Sequence, residues 1–176
     1  ILPPGSSILE ISGLEASSPA RERHQGFVDV VNGAYRLNRI DGNWIHDVAR
    51  ARVEDLAVYD GIDLVFGHND DMALAAYEVI CEKHPEEAER IKFIGIDAIV
   101  GVDAVIDGRL DASFLYPPGG DFVIETALKL LHGEEVERNY TLKSSIVDIS
   151  NASTIKMQSE QMLDYQRHIN SQREEL

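Results

Sequence analysis

Short apolar runs alternate along this chain with longer stretches in which apolar residues return every three or four positions. Ser7-Ile8-Leu9-Glu10-Ile11-Ser12, Asp63-Leu64-Val65-Phe66-Gly67 and Lys92-Phe93-Ile94-Gly95-Ile96 are rich in β-branched and aromatic residues, and each ends in a polar or glycine-containing turn. Each predicts a strand. Ala34 to Ile40 is a weaker candidate. Helical patterns lie between them. Pro19 to Asn32 has Ser18 as a cap, a proline suited to the first turn and a stop at Gly33. Asp47 to Asp60 places Ala49, Val53, Leu56 and Ala57 on one face, and Asp71 to Lys83 does the same with Met72, Ala75, Ala76, Val79 and Ile80 before Pro85 closes it. Val102 to Asp107, ended by Gly108, is shorter. This alternation predicts an α/β fold, an open parallel sheet with helices on both faces.

The pattern loosens after Asp111. Ser113-Phe114-Leu115-Tyr116 predicts a strand that runs into Pro117-Pro118-Gly119-Gly120, a breaker that turns the chain. A helix from Asp121 to His132 follows, with Phe122, Ile124, Ala127, Leu128 and Leu131 needing a surface to cover, and then a strand, Ser144 to Ile149. In the polar tail Ile155, Met162, Ile169 and Leu176 recur every seven residues, helped by Leu163. A coiled coil wants apolar residues at two heptad positions, so this thin seam fits a solvated C-terminal helix and a dimer-contact helix equally.

With 176 residues and 44% hydrophobic content, the chain can bury the core of one ordinary domain, with or without an appendage. The 16 basic against 31 acidic residues, net −15, argue against nucleic acid or an anionic membrane surface as partner. A single cysteine, Cys81, excludes an internal disulfide, and its apolar helical neighbours predict a buried thiol. No apolar stretch reaches the length of a membrane span. The chain opens at Ile1 without a methionine, as an excised or processed piece would.

Catalytic and cofactor signatures do not emerge. The histidines at 24, 46, 68, 84, 132 and 168 lack metal-ligand spacing, so zinc is not expected. There is no Gly-x-Ser-x-Gly elbow, no phosphate-binding Gly-x-x-x-x-Gly-Lys loop and no Gly-x-Gly-x-x-Gly turn, hence no expected cofactor. Asp70 and Asp71 are paired carboxylates, but neighbours at a helix start point apart. What remains is a set of polar groups where strands end. In open α/β sheets ligands bind there. Gly67-His68-Asn69-Asp70-Asp71 sits at such a junction, where its polar side chains either cap the helix or contact a small molecule. Arg23 lies early in the helix after the first strand, Asp97 ends the third clear strand, and Trp44 lies in the loop Asp41-Gly42-Asn43-Trp44. Arginine donates from a planar fork, aspartate accepts, asparagine does both, and tryptophan offers a flat apolar face. That combination suits a sugar.

The residues Ile8-Leu9-Glu10-Ile11-Ser12-Gly13, Ser18-Pro19-Ala20-Arg21-Glu22-Arg23-His24-Gln25-Gly26-Phe27, Phe66 to Leu74, Phe93-Ile94-Gly95-Ile96-Asp97 and Ala104 to Ser113 stand in the order and near the spacing of a known family. Over residues 8–150 the chain resembles the second lobe of a type I periplasmic sugar-binding protein, of the ribose-binding and lactose-repressor-type superfamily. The resemblance implies ligand contacts from Arg23, Asn69 and Asp97, with Trp44 matching a loop aromatic. Tyr116 stands where ribose binders carry a glutamine, implying a changed sugar preference. It also implies a two-lobed whole with the N-terminal lobe missing here. Residues 1–115 would be the ligand-binding lobe, 116–143 the hinge and a helix belonging to the other lobe, 144–154 a returning strand, and 155–176 a signalling helix. The Tyr116-Pro117-Pro118-Gly119-Gly120 hinge and the C-terminal helix resemble the periplasmic sensor half of hybrid two-component histidine kinases. On that reading the partners are a monosaccharide, pentose or hexose, and a second copy joined through the C-terminal helix. The location is the periplasm, within an inner-membrane protein, and any kinase chemistry lies outside this segment. A free periplasmic component of a sugar transporter, or the effector domain of a sugar-responsive repressor, are the alternatives.

Overall fold

The computed structural model describes the chain except residues 1, 32, 57, 58, 60, 175 and 176, and the side chains of 166 and 168–174. The expected Ala57 of the second helix, and Ile169 and Leu176 of the heptad seam, therefore lie outside the described residues or side chains. In chain order the elements are β1 (Ser7–Ser12), α1 (Ser18–Val31), β2 (Arg36–Asp41), α2 (His46–Glu54), β3 (Leu64–Gly67), α3 (Asp70–Lys83), α4 (Pro85–Arg90), β4 (Lys92–Asp97), α5 (Gly101–Ile106), β5 (Ala112–Leu115), α6 (Gly120–Leu131), β6 (Ser145–Asp148) and α7 (Ala152–Glu174).

The strands form a six-stranded sheet in the order β2-β1-β3-β4-β5-β6. The first five run parallel, as the strand–helix alternation predicts, and β6 pairs antiparallel with β5. Side chains alternate across the sheet, so neighbouring β1 residues serve different layers. Leu9 and Ile11 join the main core with α2, α3, α5 and the start of α7, while Ile8 packs with Leu64, Phe66, Val31 and Phe27 under α1. Phe27 and Phe66 stack with ring centroids 4.6 Å apart. A parallel sheet needs cover on both faces, and the two clusters are that cover.

The α3 stripe predicted from the sequence is buried in full, together with Ala73 and Leu74. Pro85, expected to end that helix, also occupies the first turn of α4, where a proline's missing N–H costs nothing. Ser18 lies inside α1 rather than capping it, and α2 ends at Glu54, six residues early. Cys81 is half-buried, not buried, because it faces a small surface pocket beside Tyr77 and Arg109.

Two elements stand apart. None of the residues of α6 is buried, and Val123, Ile124, Leu128, Leu130 and Leu131 are exposed. Phe122 meets Tyr140 edge-on at 4.6 Å. Among the described residues, the anchoring contacts of α7 lie at its start, where Ala152 is buried, Ile155 packs on the core and Lys156 pairs with Asp103 at 2.7 Å. Further along, Met162, Leu163 and Tyr165 are exposed.

Strand order places a crevice above the sheet. The chain leaves β1 for α1 on one face and leaves β3 for α3 on the other, although β1 and β3 are neighbours. Their carboxyl ends therefore open between helices that diverge, the usual seat of a ligand in such sheets.

Candidate functional site

Arg23, in the second turn of α1, reaches across that crevice. It donates one hydrogen bond to the His68 carbonyl, just past β3, and another to Asp97 Oδ1, the last residue of β4, at 3.2 Å. Its guanidinium carbon lies 5.2 Å from the centre of the Trp44 ring and 5.3 Å from that of Tyr116. Guanidinium groups are attracted to aromatic faces, so the two rings and two acceptors together hold one orientation of a side chain that is otherwise costly to order. Among the described residues the fork's other N–H groups have no hydrogen-bond partner.

Trp44 owes its place to a close approach. Its indole lies against Gly13, where a methyl group would overlap the ring. Asn43 and Trp44 both adopt left-handed backbone, φ 53° and 69°, which turns the loop back over the sheet. The indole is thus bounded by Gly13 and Arg23. In this arrangement the ring supports the arginine.

Asn69 takes the capping role that its junction suggested and also holds the neighbouring loop. Its side-chain oxygen accepts from the Met72 N–H at 2.9 Å, capping α3, and its amide nitrogen donates to the Trp44 carbonyl at 3.3 Å. One amide N–H is left over for a ligand.

Asp97 has φ 108° and Ala98 φ 51°, conformations that cost a non-glycine residue about 1–3 kcal/mol each and persist only where neighbours enforce them. The enforcement comes from Asp70. Almost wholly buried, it accepts from Ser113 Oγ at 2.5 Å, from Gly101 N at 3.0 Å and from Ile99 N at 3.2 Å, while Ser113 Oγ in turn accepts from Ala98 N at 3.1 Å. Gly95 and Gly101, which fit no nucleotide motif, clear the space that Asp70 fills. Burial raises the Asp97 pKa from its ordinary value against the pull of Arg23, and Asp71 adds to the rise.

The structure therefore brings Arg23, Trp44, Asn69, Asp97 and Tyr116 to one edge of the sheet. A fork of donors, a carboxylate and an amide, with aromatic walls, can recognise a neutral polyhydroxylated molecule. Arg21, on the same helix, is exposed and among the described residues bonds the Glu15 and Ala16 carbonyls. Among the described residues no cluster of His, Cys, Asp and Glu is arranged to hold a metal.

One part of the site escaped the sequence reading. Glu10 in β1 and His68 are completely buried, with Nε2 of His68 2.8 Å from Glu10 Oε1 and Nδ1 of His24 2.8 Å from Oε2. A signal was available: a carboxylate in the middle of the run Ile8-Leu9-Glu10-Ile11 must meet buried donors. Two of the six scattered histidines are those donors.

Comparison with known proteins agrees with this architecture. Residues 1–135 match the model of the periplasmic binding protein domain. The ribose import binding protein RbsB of Escherichia coli (strain K12) is 30% identical over 156 residues, covering 81% of this chain and 49% of its own length. The chain thus spans about half the length of the curated relatives it matches. The fructose binding periplasmic domain of hybrid two component system BT1754 superposes with a TM-score of 0.85 at 29% identity, covering 98% of this chain and 59% of that one. The periplasmic binding component of an arabinose ABC transporter from Shewanella sp. ANA-3, at 20% identity and TM-score 0.77, covers 93% of this chain and 57% of its own, and shares the fold. By fold, strand-end site and family match, the chain belongs to the periplasmic binding protein family.

Proposed function

We propose that this chain supplies the ligand-binding lobe of a periplasmic sensor domain that closes with a second lobe on a monosaccharide, a pentose or hexose, and signals through α7. The observation that carries the reading is Arg23, held by His68 and Asp97 beside Asn69 at the carboxyl ends of β3 and β4. Its bonds leave a preorganised donor fork next to an acceptor, which suits the alternating donors and acceptors of sugar hydroxyls. The names of the relatives point the same way, from ribose import to fructose binding.

On this reading residues 1–115 form the lobe, 116–143 cross to the other lobe with α6, 144–154 return as β6, and 155–176 carry the signal. The unburied apolar face of α6 supports a crossing helix, and the antiparallel β6 supports a return. Signalling is favoured over transport by the 23-residue α7, which continues past its anchor with Met162, Leu163 and Tyr165 exposed, a surface for a second copy of the helix. No described helix is long and apolar enough to cross a membrane. Any span belongs to other parts of an inner-membrane protein.

The test is calorimetric titration of the intact two-lobed domain with a panel of pentoses and hexoses. Asp97→Ala and Arg23→Ala should each weaken binding of the cognate sugar by about 1.5–3 kcal/mol, the range for a hydrogen bond to a charged group. Unchanged affinity in both variants would overturn the reading.

A further inference from the structure

Beneath the proposed sugar site His68 is fully buried, yet it braces the Arg23 and Trp44 side of the site through several different atoms. Its backbone carbonyl accepts from Arg23. Its Nδ1 accepts from the Gly13 N–H at 3.2 Å, on the backbone against which the Trp44 indole lies. Its Nε2 is 2.8 Å from Glu10 Oε1. The ring packs with its centroid 5.4 Å from that of Phe66 and 6.1 Å from that of Trp44. A nitrogen that accepts from a backbone N–H carries no proton of its own. The hydrogen bonds therefore select the tautomer with its proton on Nε2, donated to Glu10, whose carboxylate also receives His24 Nδ1 and lies 4.0 Å from Arg39.

We infer that His68 is a positioning residue for ligand recognition: through Gly13 and its own carbonyl it sets the places of Trp44 and Arg23, with Glu10 holding its tautomer. The inference rests on the sugar-binding reading of the same site. Only a flat group that donates at one corner and accepts at the neighbouring one can bridge Glu10 and Gly13. A glutamine amide meets that requirement, and a leucine of similar bulk meets neither half of it.

The experiment combines nitrogen-15 histidine spectra with sugar titration of the intact domain. At neutral pH His68 should show protonated Nε2 and bare Nδ1. His68→Gln should keep the cognate monosaccharide's affinity within about threefold, whereas His68→Leu should lose about tenfold or more and shift the Trp44 indole and Arg23 side-chain signals. Protonated Nδ1 in the wild type, wild-type affinity in His68→Leu, or lost affinity in a folded His68→Gln would each overturn the inference. If the wild type binds no sugar in the panel, the sugar reading fails by itself. Positioning is then decided by the Trp44 and Arg23 signals of His68→Leu, which must move for it to stand.

Discussion

Two buried carboxylates brace the two sides of the site, and they do it with opposite electrostatics. Glu10 lies under the Arg23 and Trp44 side and is surrounded by imidazoles, His68 and His24. Asp70 lies under the Asp97 side and is surrounded by neutral donors, two backbone N–H groups and the Ser113 hydroxyl. Burial pushes both pKa values up. At Glu10 the hydrogen bonds of His68 and His24 and the attraction of His24 outweigh burial, and the carboxyl titrates below its ordinary value. At Asp70 the neutral donors do not outweigh it, and with Asp97 nearby the carboxyl titrates above its ordinary value. Depth alone does not decide the sign. The ionisable or neutral character of the partners does.

The comparison breaks most visibly on truncation at Asp70. Asp70→Ala leaves the Gly101 N–H and the Ser113 hydroxyl without an acceptor in a buried place, and Ile99 N–H half-covered. Urea unfolding should show a loss of about 3–4 kcal/mol, the sum expected for stranded donors at about 1–3 kcal/mol each. Retained stability would mean that water or a shifted loop replaces the carboxylate.

Glu10→Ala should cost less, about 2–3 kcal/mol in the same measurement, because only His68 is stranded in a wholly buried place. The side chains of His24 and Arg39 are 31% and 30% exposed and can turn to solvent. A loss larger than that of Asp70→Ala would reverse the ranking and place the main brace under Arg23.

The smallest and sharpest effect is the direction of two pH slopes, followed by unfolding between about pH 7 and pH 3. Glu10 titrates lower in the folded state, so its stabilisation is complete above the ordinary carboxylate range and is lost as pH falls through the folded value. The wild type's advantage over Glu10→Gln should therefore narrow on acidification. Asp70 titrates higher when folded, so its contribution is fullest at low pH and is lost as pH rises through the folded value. The wild type should gain on Asp70→Asn as pH falls. Parallel slopes would contradict the contrast between ionisable and neutral partners.

Much of the fold was legible because periodicity reports burial directly. Strand β1 was read to the residue, and the α3 stripe was read correctly, since a parallel strand and a core helix each leave a strong apolar pattern. Helix α4 was missed because the proline that closes one helix also opens another, and nothing local separates the two. Asn69 and Asp97 were identified as candidates from their places at strand ends, and Arg23 from its place early in the helix after the first strand. The contacts among them were not legible: nothing in the spacing shows that Trp44 lies against Gly13 and Arg23.

What this sequence determined by itself is the alternation of its strands with its longer helices and the chemical kinds of group at the carboxyl edge, because those follow from spacing along the chain. Only the tertiary structure decided which of six histidines meet Glu10, which neighbouring aspartate turns inward, and that Arg23 spans from α1 to β4. Those contacts join residues 14 to 74 positions apart in sequence. Their partners are chosen by sheet order and crossover, and no local pattern records that choice.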